Sequence, residues 1–342
     1  MKDRPGEMTG SSDRPIYSAA STLPEDHPAY ATHQAAIRSV RRVIENTAPY
    51  QNVQVASTGI SQLLGLKPLI LTGAGMSTDS GIPDYRGPEG SLRHSRPMTY
   101  QEFLHDEAAR HRYWARSFVG WQHMNAASPH TGHSIIARWN TRGQIAGIVT
   151  QNVDGLHQQS QRVADQQATR GSESGPIIAL HGSMNEIECL VCGSKENRED
   201  FGVRLRNANA GVADQWKLTE ELVNPDGDAR IPQEWVERFQ MVQCLNCGSN
   251  KLKPTVVYFG EIVPKQRKEA IQALLDRSGA LIVIGSSLAV MSGYRILLEA
   301  DRARKPIGII NLGPTRGEEY ATFRWRSGVK QALEWLDHEI SV

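Results

Sequence analysis

The sequence has no long apolar run, no surplus of either charge, and no cysteine outside two short pairs. Each absence excludes something. Hydrophobic stretches such as Ala280 to Ile284 fall far short of the ~20 residues that cross a bilayer, and mean hydropathy is −0.44. Lys and Arg number 38 against 37 for Asp and Glu, a formal net charge of +1. The basic excess that binds nucleic acid through counterion release is therefore missing. Neither a specific nucleic acid nor a membrane is an expected partner. The first 30 residues mix Asp, Glu, Lys and Arg with Pro and Ser and contain no apolar core. They match neither a secretory signal nor an acid-poor transit peptide, so a loose tail (1–30) and a cytoplasmic protein are expected. The 342 residues suffice for one large domain with a smaller companion.

The cysteines form two knuckles, Cys189-x-x-Cys192 and Cys244-x-x-Cys247, each with Gly one residue after its second Cys. Disulfides are the plainer reading, yet they are rare in a reducing cytoplasm. Doubled CxxC spacing matches a tetrahedral four-thiolate Zn2+ site. Four protein ligands leave no position for water, so such a zinc is structural and the chemistry lies elsewhere. The 51 residues from Gly193 to Gln243 exceed the ~15–20 of a compact zinc ribbon. They are expected as an inserted subdomain with a turn-rich Asn224-Pro225-Asp226-Gly227-Asp228 and a helix near Gln233 to Gln240.

Helical spacing of Ile37, Val40, Val43 and Ile44 predicts a helix over Ala31 to Asn46. Short apolar runs at Leu69 to Thr72, Ile145 to Thr150, Ile177 to Leu180, Thr255 to Phe259, Leu281 to Ile284 and Ile307 to Ile310 read as buried strands. Helical stretches such as Arg267 to Leu275 and Tyr294 to Arg304 lie between several of them. This alternation predicts an α/β fold with a doubly wound parallel sheet. Residues 98 to 139 interrupt it with Trp, His and Arg at helical periodicity, the pattern of a helical insertion.

Ligands of such sheets bind at the carboxyl ends of the strands. Those ends read Gly73-Ala74-Gly75-Met76-Ser77, Gln151-Asn152-Val153-Asp154, His181-Gly182, Gly285-Ser286-Ser287 and Asn311-Leu312-Gly313. Gly73-x-Gly75 lets backbone approach a pyrophosphate, although a tight structural turn explains the pair equally well. Position 78 is Thr where the dehydrogenase fingerprint has its third glycine, which disfavours a dehydrogenase. Ser80 to Gly87, rich in Gly and Pro, reads as an ordered loop over a ligand, with Asp84 and Arg86 for polar contacts. Gln151, Asn152 and Asp154 suit ribose hydroxyls and a positioned water, or else cap a helix. An imidazole at His181 could take a proton from a sugar hydroxyl, with His157 and His130 as rivals.

Together, Thr72-Gly73-Ala74-Gly75-Met76-Ser77, Gly81-Ile82-Pro83-Asp84-Tyr85-Arg86, Thr150-Gln151-Asn152-Val153-Asp154, His181-Gly182, both CxxC pairs, Val256-Val257-Tyr258-Phe259-Gly260-Glu261 and Gly285-Ser286-Ser287-Leu288 occur in the order seen in sirtuins. The resemblance spans about residues 65 to 315. Ala115 to Trp121, Asn224 to Asp228, Ser292-Gly293-Tyr294-Arg295 and Asn311 to Arg316 are similar to the class II, mitochondrial sirtuin-4-like branch.

The resemblance implies an NAD-dependent protein lysine deacylase with a Rossmann-like domain in three parts (31–97, 140–183 and 254–342), the helical insertion (98–139) and a zinc-binding small domain (184–253). In such enzymes the acyl-lysine carbonyl oxygen attacks the ribose carbon that bears nicotinamide, giving an alkylimidate. A histidine then activates a ribose hydroxyl, and the products are free lysine and O-acyl-ADP-ribose. His181 matches that histidine, with Asn152 and Asp154 ordering the ribose and nicotinamide end. The implied NAD contacts are Gly73, Ala74, Gly75 and Ser77; Ile82, Pro83, Asp84, Tyr85 and Arg86 of the loop; Gln151, Asn152, Val153 and Asp154; Gly285, Ser286 and Ser287; Asn311, Leu312 and Gly313; and Val329 toward adenine. Val257, Tyr258, Phe259 and Gly260 are expected to clamp an extended acyl-lysine peptide as an added strand.

Succinyl- and malonyl-preferring sirtuins carry a Tyr three residues before an Arg after the cofactor loop. Gly90 to Arg96 has no such pair, so the resemblance does not support an acidic acyl group. The sirtuin-4-like branch is associated with longer acyl groups, including lipoyl, and with mono-ADP-ribosyl transfer. A protein ADP-ribosyltransferase using the same site, and a non-catalytic NAD-responsive module, are the alternatives. The complete set of His181, Asn152 and Asp154 argues against the last.

Overall fold

Four-residue runs of branched apolar side chains are too short for helices and have no polar face, so they are stable only as strands covered on both sides. The computed structural model, which describes residues 23–45, 51–87, 90–93, 96–168, 173–211 and 224–340, contains them in that form. In chain order the elements are α1 (Tyr30–Val40), α2 (Val53–Leu64), β1 (Leu69–Thr72), α3 (Tyr100–His105), α4 (Glu107–Ala126), α5 (Thr131–Thr141), β2 (Gly147–Thr150), α6 (Leu156–Gln167), β3 (Ile177–Ala179), β4 (Glu186–Cys189), β5 (Lys195–Asn197), α7 (Arg198–Ala208), α8 (Gln233–Arg238), β6 (Leu252–Pro254), α9 (Lys265–Arg277), β7 (Leu281–Ile284), α10 (Met291–Arg302), β8 (Ile307–Ile310), β9 (Phe323–Trp325) and α11 (Val329–Glu339).

Six strands form one parallel sheet in the order β3-β2-β1-β7-β8-β9. The chain winds outward from β1 through β2 and β3, then in the other direction from β7, so the switch point lies between β1 and β7. Because strand side chains alternate between faces, Ile70, Ile148 and Ile282 pack under α2, α5 and α11. Leu69, Leu71, Val149 and Val283 pack under α9 and α10.

A second sheet, β5-β4-β6, is antiparallel and shares a separate apolar cluster with α3, α4, α7 and α8. At its centre Arg198 is fully buried, its guanidinium carbon 5.2, 5.0 and 5.6 Å from the ring centres of Trp114, Trp121 and Phe201. Desolvation of that charge is offset by the aromatic faces and by donation to the Ser117 carbonyl at 3.2 Å.

The doubly wound parallel sheet agrees with the sequence reading; several local expectations do not. The helix predicted to Asn46 stops at Val40, whose carbonyl accepts from the Arg86 guanidinium at 3.2 Å. That contact satisfies one of the carbonyls a helix end leaves orphaned. Asn46 lies outside the described residues, as do residues 1–22 of the expected tail, His94, Ser95 and positions 212–223 of the insertion. Leu23 is already buried, and turns lead from it into α1. Thr255 to Phe259, read as a strand, is extended chain with one isolated bridge, Phe259 to Thr99. The helical stretch 98–139 divides: α3 and α4 join the small cluster, whereas Ile135, Ile136 and Trp139 of α5 belong to the large sheet.

The edge strand β9, absent from the sequence reading, is held by a buried pair. Arg324 lies 2.6 Å from Glu318, with side chains 6% and 0% exposed. Removing one partner strands a buried charge, which costs about 3–5 kcal/mol. Arg324→Ala should lower the unfolding free energy by that amount, read as a lower urea midpoint with little change in slope; an unchanged midpoint would show that the pair contributes nothing.

Candidate active site at the strand ends

The parallel register brings Thr72, Thr150, Ala179, Ile284 and Ile310 level at one edge. The polar clusters that follow them are therefore neighbours. Across the switch point, the turn after β1 lies directly on the turn after β7. A side chain at Gly73 would sit 2.7 Å from the Ser286 Cβ, and Gly285 has φ +62. The Gly75 amide donates to the Gly285 carbonyl at 2.9 Å. The glycines make the tight turn of the first reading, in which the Gly73, Gly75, Met76 and Ser77 amides donate to the carbonyls of Ile284, Gly285, Gly73 and Ala74. Ala74 is part of it, half-buried.

Behind β2, Asn152 Nδ2 donates to Ser77 Oγ at 3.0 Å, and Ser77 Oγ donates to Asp154 Oδ2 at 2.7 Å. Asp154 Oδ1 also accepts from the Leu156 amide at 2.9 Å. It therefore caps the start of α6 as well as closing the network. Burial raises the Asp154 carboxyl above its ordinary value, against these hydrogen bonds. Gln151 Nε2 donates to the Thr72 carbonyl and to Ser286 Oγ at 3.2 and 2.7 Å, tying β1, β2 and β7 together. Val153 is buried between the networks.

His181 follows β3. Its Nδ1 lies 2.9 Å from the Gln151 carbonyl and its Nε2 2.7 Å from Ser292 Oγ. A carbonyl only accepts, so Nδ1 carries the proton and Nε2 has the lone pair in the neutral ring. Burial lowers this imidazole to about 4, so it is an uncharged base at neutral pH. The rival histidines are committed elsewhere. His157 is buried against Thr72 Oγ1 at 3.0 Å, and His130 Nε2 donates to the Met76 carbonyl at 2.7 Å while its Nδ1 accepts from Gly132. With His133 between them, at ring separations of 4.6 and 4.9 Å, they support the β1 turn.

In the loop over this edge, Ile82 is core and Pro83 is half-buried. Asp84 Oδ1 accepts from the Gly87 amide, and the Tyr85 ring meets the Phe259 ring edge-on at 6.4 Å. Arg86 binds the end of α1 and has a buried Nε with no partner among the described residues. Ser286 is buried, Ser287 accepts from the Arg316 amide, and Asn311 Nδ2 donates to the Gly313 carbonyl beside an exposed Leu312. Val329 opens α11 with its side chain inside the apolar core.

The stretch Val256 to Gly260 lies between the two sheets. The Val257 amide donates to the His181 carbonyl at 2.8 Å, and the Phe259 carbonyl accepts from Tyr100 at 2.9 Å. Tyr258 is buried among Phe103 and Tyr113, so only its backbone is available to a ligand. Buried Lys253, which sequence reasoning passed over, holds this stretch. Its Nζ donates to the Val256 carbonyl at 2.7 Å and pairs with Glu261 at 3.2 Å.

The four cysteine sulfurs lie within 4.8 Å of one another, with Cys189 to Cys247 at 3.6 Å and Cys192 to Cys244 at 3.7 Å. Thiolates at ~2.3 Å around a tetrahedral zinc stand roughly 3.8 Å apart. The cluster fits one structural zinc and is too open for disulfides, whose sulfurs are ~2.05 Å apart.

A profile described as "Sir2 family" matches residues 73–292. The chain belongs to the Sir2 family. It is 51% identical over 268 residues to the NAD-dependent protein deacetylase 1 of Corynebacterium efficiens, covering 78% of this chain and 91% of that one. It is 38% identical over 259 residues to the NAD-dependent protein deacylase Sirt4 of Drosophila melanogaster, covering 75% and 78%. A solved Sir2–p53 peptide–NAD+ complex superposes with a TM-score of 0.62 at 27% identity, over 83% of this chain and 98% of that one. In this Sir2 chain no described helix is long and apolar enough to cross a membrane.

Two outcomes follow. Cys189→Ser should release the zinc, measurable by metal analysis, and unfold the small sheet, because metal binding there contributes to folding; a zinc-free variant with unchanged thermal stability would contradict the site. Burial also holds His133 and His157 at about 2 and about 3. The unfolded chain then binds more protons below the ordinary value of 6.5, and stability falls as pH drops from 6.5 toward 4. His133→Leu should flatten that loss in a melting-temperature series, whereas an identical pH slope would contradict it.

Proposed function

We infer that this Sir2-family chain is an NAD-dependent protein lysine deacylase that releases nicotinamide and O-acyl-ADP-ribose. The observation that carries the reading is His181: a neutral imidazole, fixed by the Gln151 carbonyl with its lone pair on Nε2, at the same edge as a glycine-lined turn. NAD is consumed as the acyl acceptor, and its glycosidic bond supplies a cation-like ribose carbon when nicotinamide departs.

The turns at Gly73 to Ser77 and Gly285 to Ser287, packed on each other through their glycines, form the strand-end floor on which the pyrophosphate rests. Asn311 to Gly313 receive the adenosine ribose, and the start of α11 at Val329 borders adenine through its backbone. Asn152 and Asp154, locked together through Ser77, orient the nicotinamide ribose. The loop from Ile82 to Arg86 excludes water from the reacting carbon. Val257 to Gly260, pinned by Lys253, offer an edge to which the acyl-lysine peptide adds as a strand. His181 Nε2 accepts the proton of the ribose hydroxyl that attacks the acyl carbon.

Its finer assignment is to the sirtuin-4-like branch in the cytoplasm, acting on uncharged acyl groups. The likeness to the Drosophila Sirt4 supports the branch.

His181→Ala should reduce removal of acyl groups from acetyl- through lipoyl-lysine peptides by roughly 10²–10⁴-fold, with NAD binding by calorimetry retained. Full activity in that variant would overturn the role of the imidazole. Labelled NAD retained on protein, without acyl loss, would mark an ADP-ribosyltransferase instead.

A further inference from the structure

The first turn of α10 carries the triplet Ser292-Gly293-Tyr294, and all three residues bear on the imidazole of His181 or its support. A side chain at Gly293 would lie 2.5 Å from Gln151 Oε1, so glycine alone lets the helix close on the residue whose carbonyl binds Nδ1. Tyr294 is anchored beneath the Arg316 guanidinium, 3.9 Å from its ring centre. Ser292 Oγ is thereby brought to 2.7 Å from Nε2.

We propose that Ser292 is a positioning residue for the deacylation base. Its hydroxyl donates to His181 Nε2, holding the ring plane and the Nδ1–H tautomer until the ribose hydroxyl of the substrate takes that place. A hydroxyl both donates and accepts, so Ser292 Oγ can also accept from Nε2–H once the ring has taken its proton. The charged group that acts on the ring is Arg267 of α9, which donates to the Leu180 carbonyl at 3.1 Å. It disfavours the imidazolium, whereas the Ser292 hydroxyl can bond either state of the ring. Loss of the hydroxyl leaves the ring less well aimed. This inference rests on the deacylase reading, and only the step after nicotinamide departure depends on it.

The test uses the full chain with NAD, an acylated peptide and labelled nicotinamide, comparing nicotinamide exchange with deacylation. In Ser292→Ala, exchange should persist while deacylation per exchange event falls about 3–10-fold, because a base held in one orientation loses its alignment. Ser292→Thr, which keeps the hydroxyl, should recover most of the ratio. An unchanged ratio in Ser292→Ala, while His181→Ala abolishes deacylation, would overturn this proposal alone. Loss of exchange along with deacylation would also overturn it, since Ser292 would then serve folding or NAD binding. Deacylation persisting in His181→Ala would instead remove the base assignment on which the proposal stands.

Discussion

The parallel pairing of β1 with both β2 and β7 is the constraint on which the rest depends. Because the chain order reverses between β1 and β7, no crossover covers the carboxyl edge at that point. Each flanking strand delivers a different chemical group to it: glycine backbone from β1 and β7, amides and a carboxylate from β2, an imidazole from β3. The fourfold level register Leu69 to Thr72 against Leu281 to Ile284 is what allows the two turns to touch. The absence of side chains at Gly73 and Gly285 is what lets them approach closely enough to share hydrogen bonds.

The buried polar network follows from that convergence. Gln151 bonds β1, β2 and β7 in one side chain and gives its own carbonyl to His181. Low dielectric makes such bonds strong and unpaired groups costly, so the network orients its members rigidly. Burial, acting against the Gln151 carbonyl bond, keeps His181 neutral, the state a base requires. The same burial acts on His133 and His157, which shape the site without taking part in its chemistry.

Much of this was legible in the sequence because strand ends are marked by composition. Apolar runs at Leu281 to Ile284 and Ile307 to Ile310 coincide with β7 and β8, and the turns after them carry the polar groups. The paired CxxC spacing likewise implied four sulfurs around one metal. What was not legible depends on tertiary contact. β9, Phe-Arg-Trp, looks too short and too charged until Glu318 neutralises Arg324. Thr255 to Phe259 has the composition of a strand, yet the Lys253 side chain takes the Val256 carbonyl and the Glu261 side chain the Tyr258 amide. α5 continues the helical periodicity of the insertion although its apolar stripe meets the other sheet. Ser292 offers no periodic or spacing signal: it enters the sequence reading only within the segment Ser292-Gly293-Tyr294-Arg295 that is similar to the class II branch, and its neighbour Gly293, inside a helix where glycine is unfavourable, hints that something approaches closely.

The reaction itself is the most direct measurement of the central claim. Incubating the protein with NAD and an acetylated or lipoylated lysine peptide, and quantifying products by mass spectrometry, should yield nicotinamide, deacylated peptide and O-acyl-ADP-ribose in equal amounts. Acyl groups released as free acid without consumption of NAD, or no nicotinamide at all, would contradict a site in which strand-end turns hold a dinucleotide and one imidazole serves its ribose.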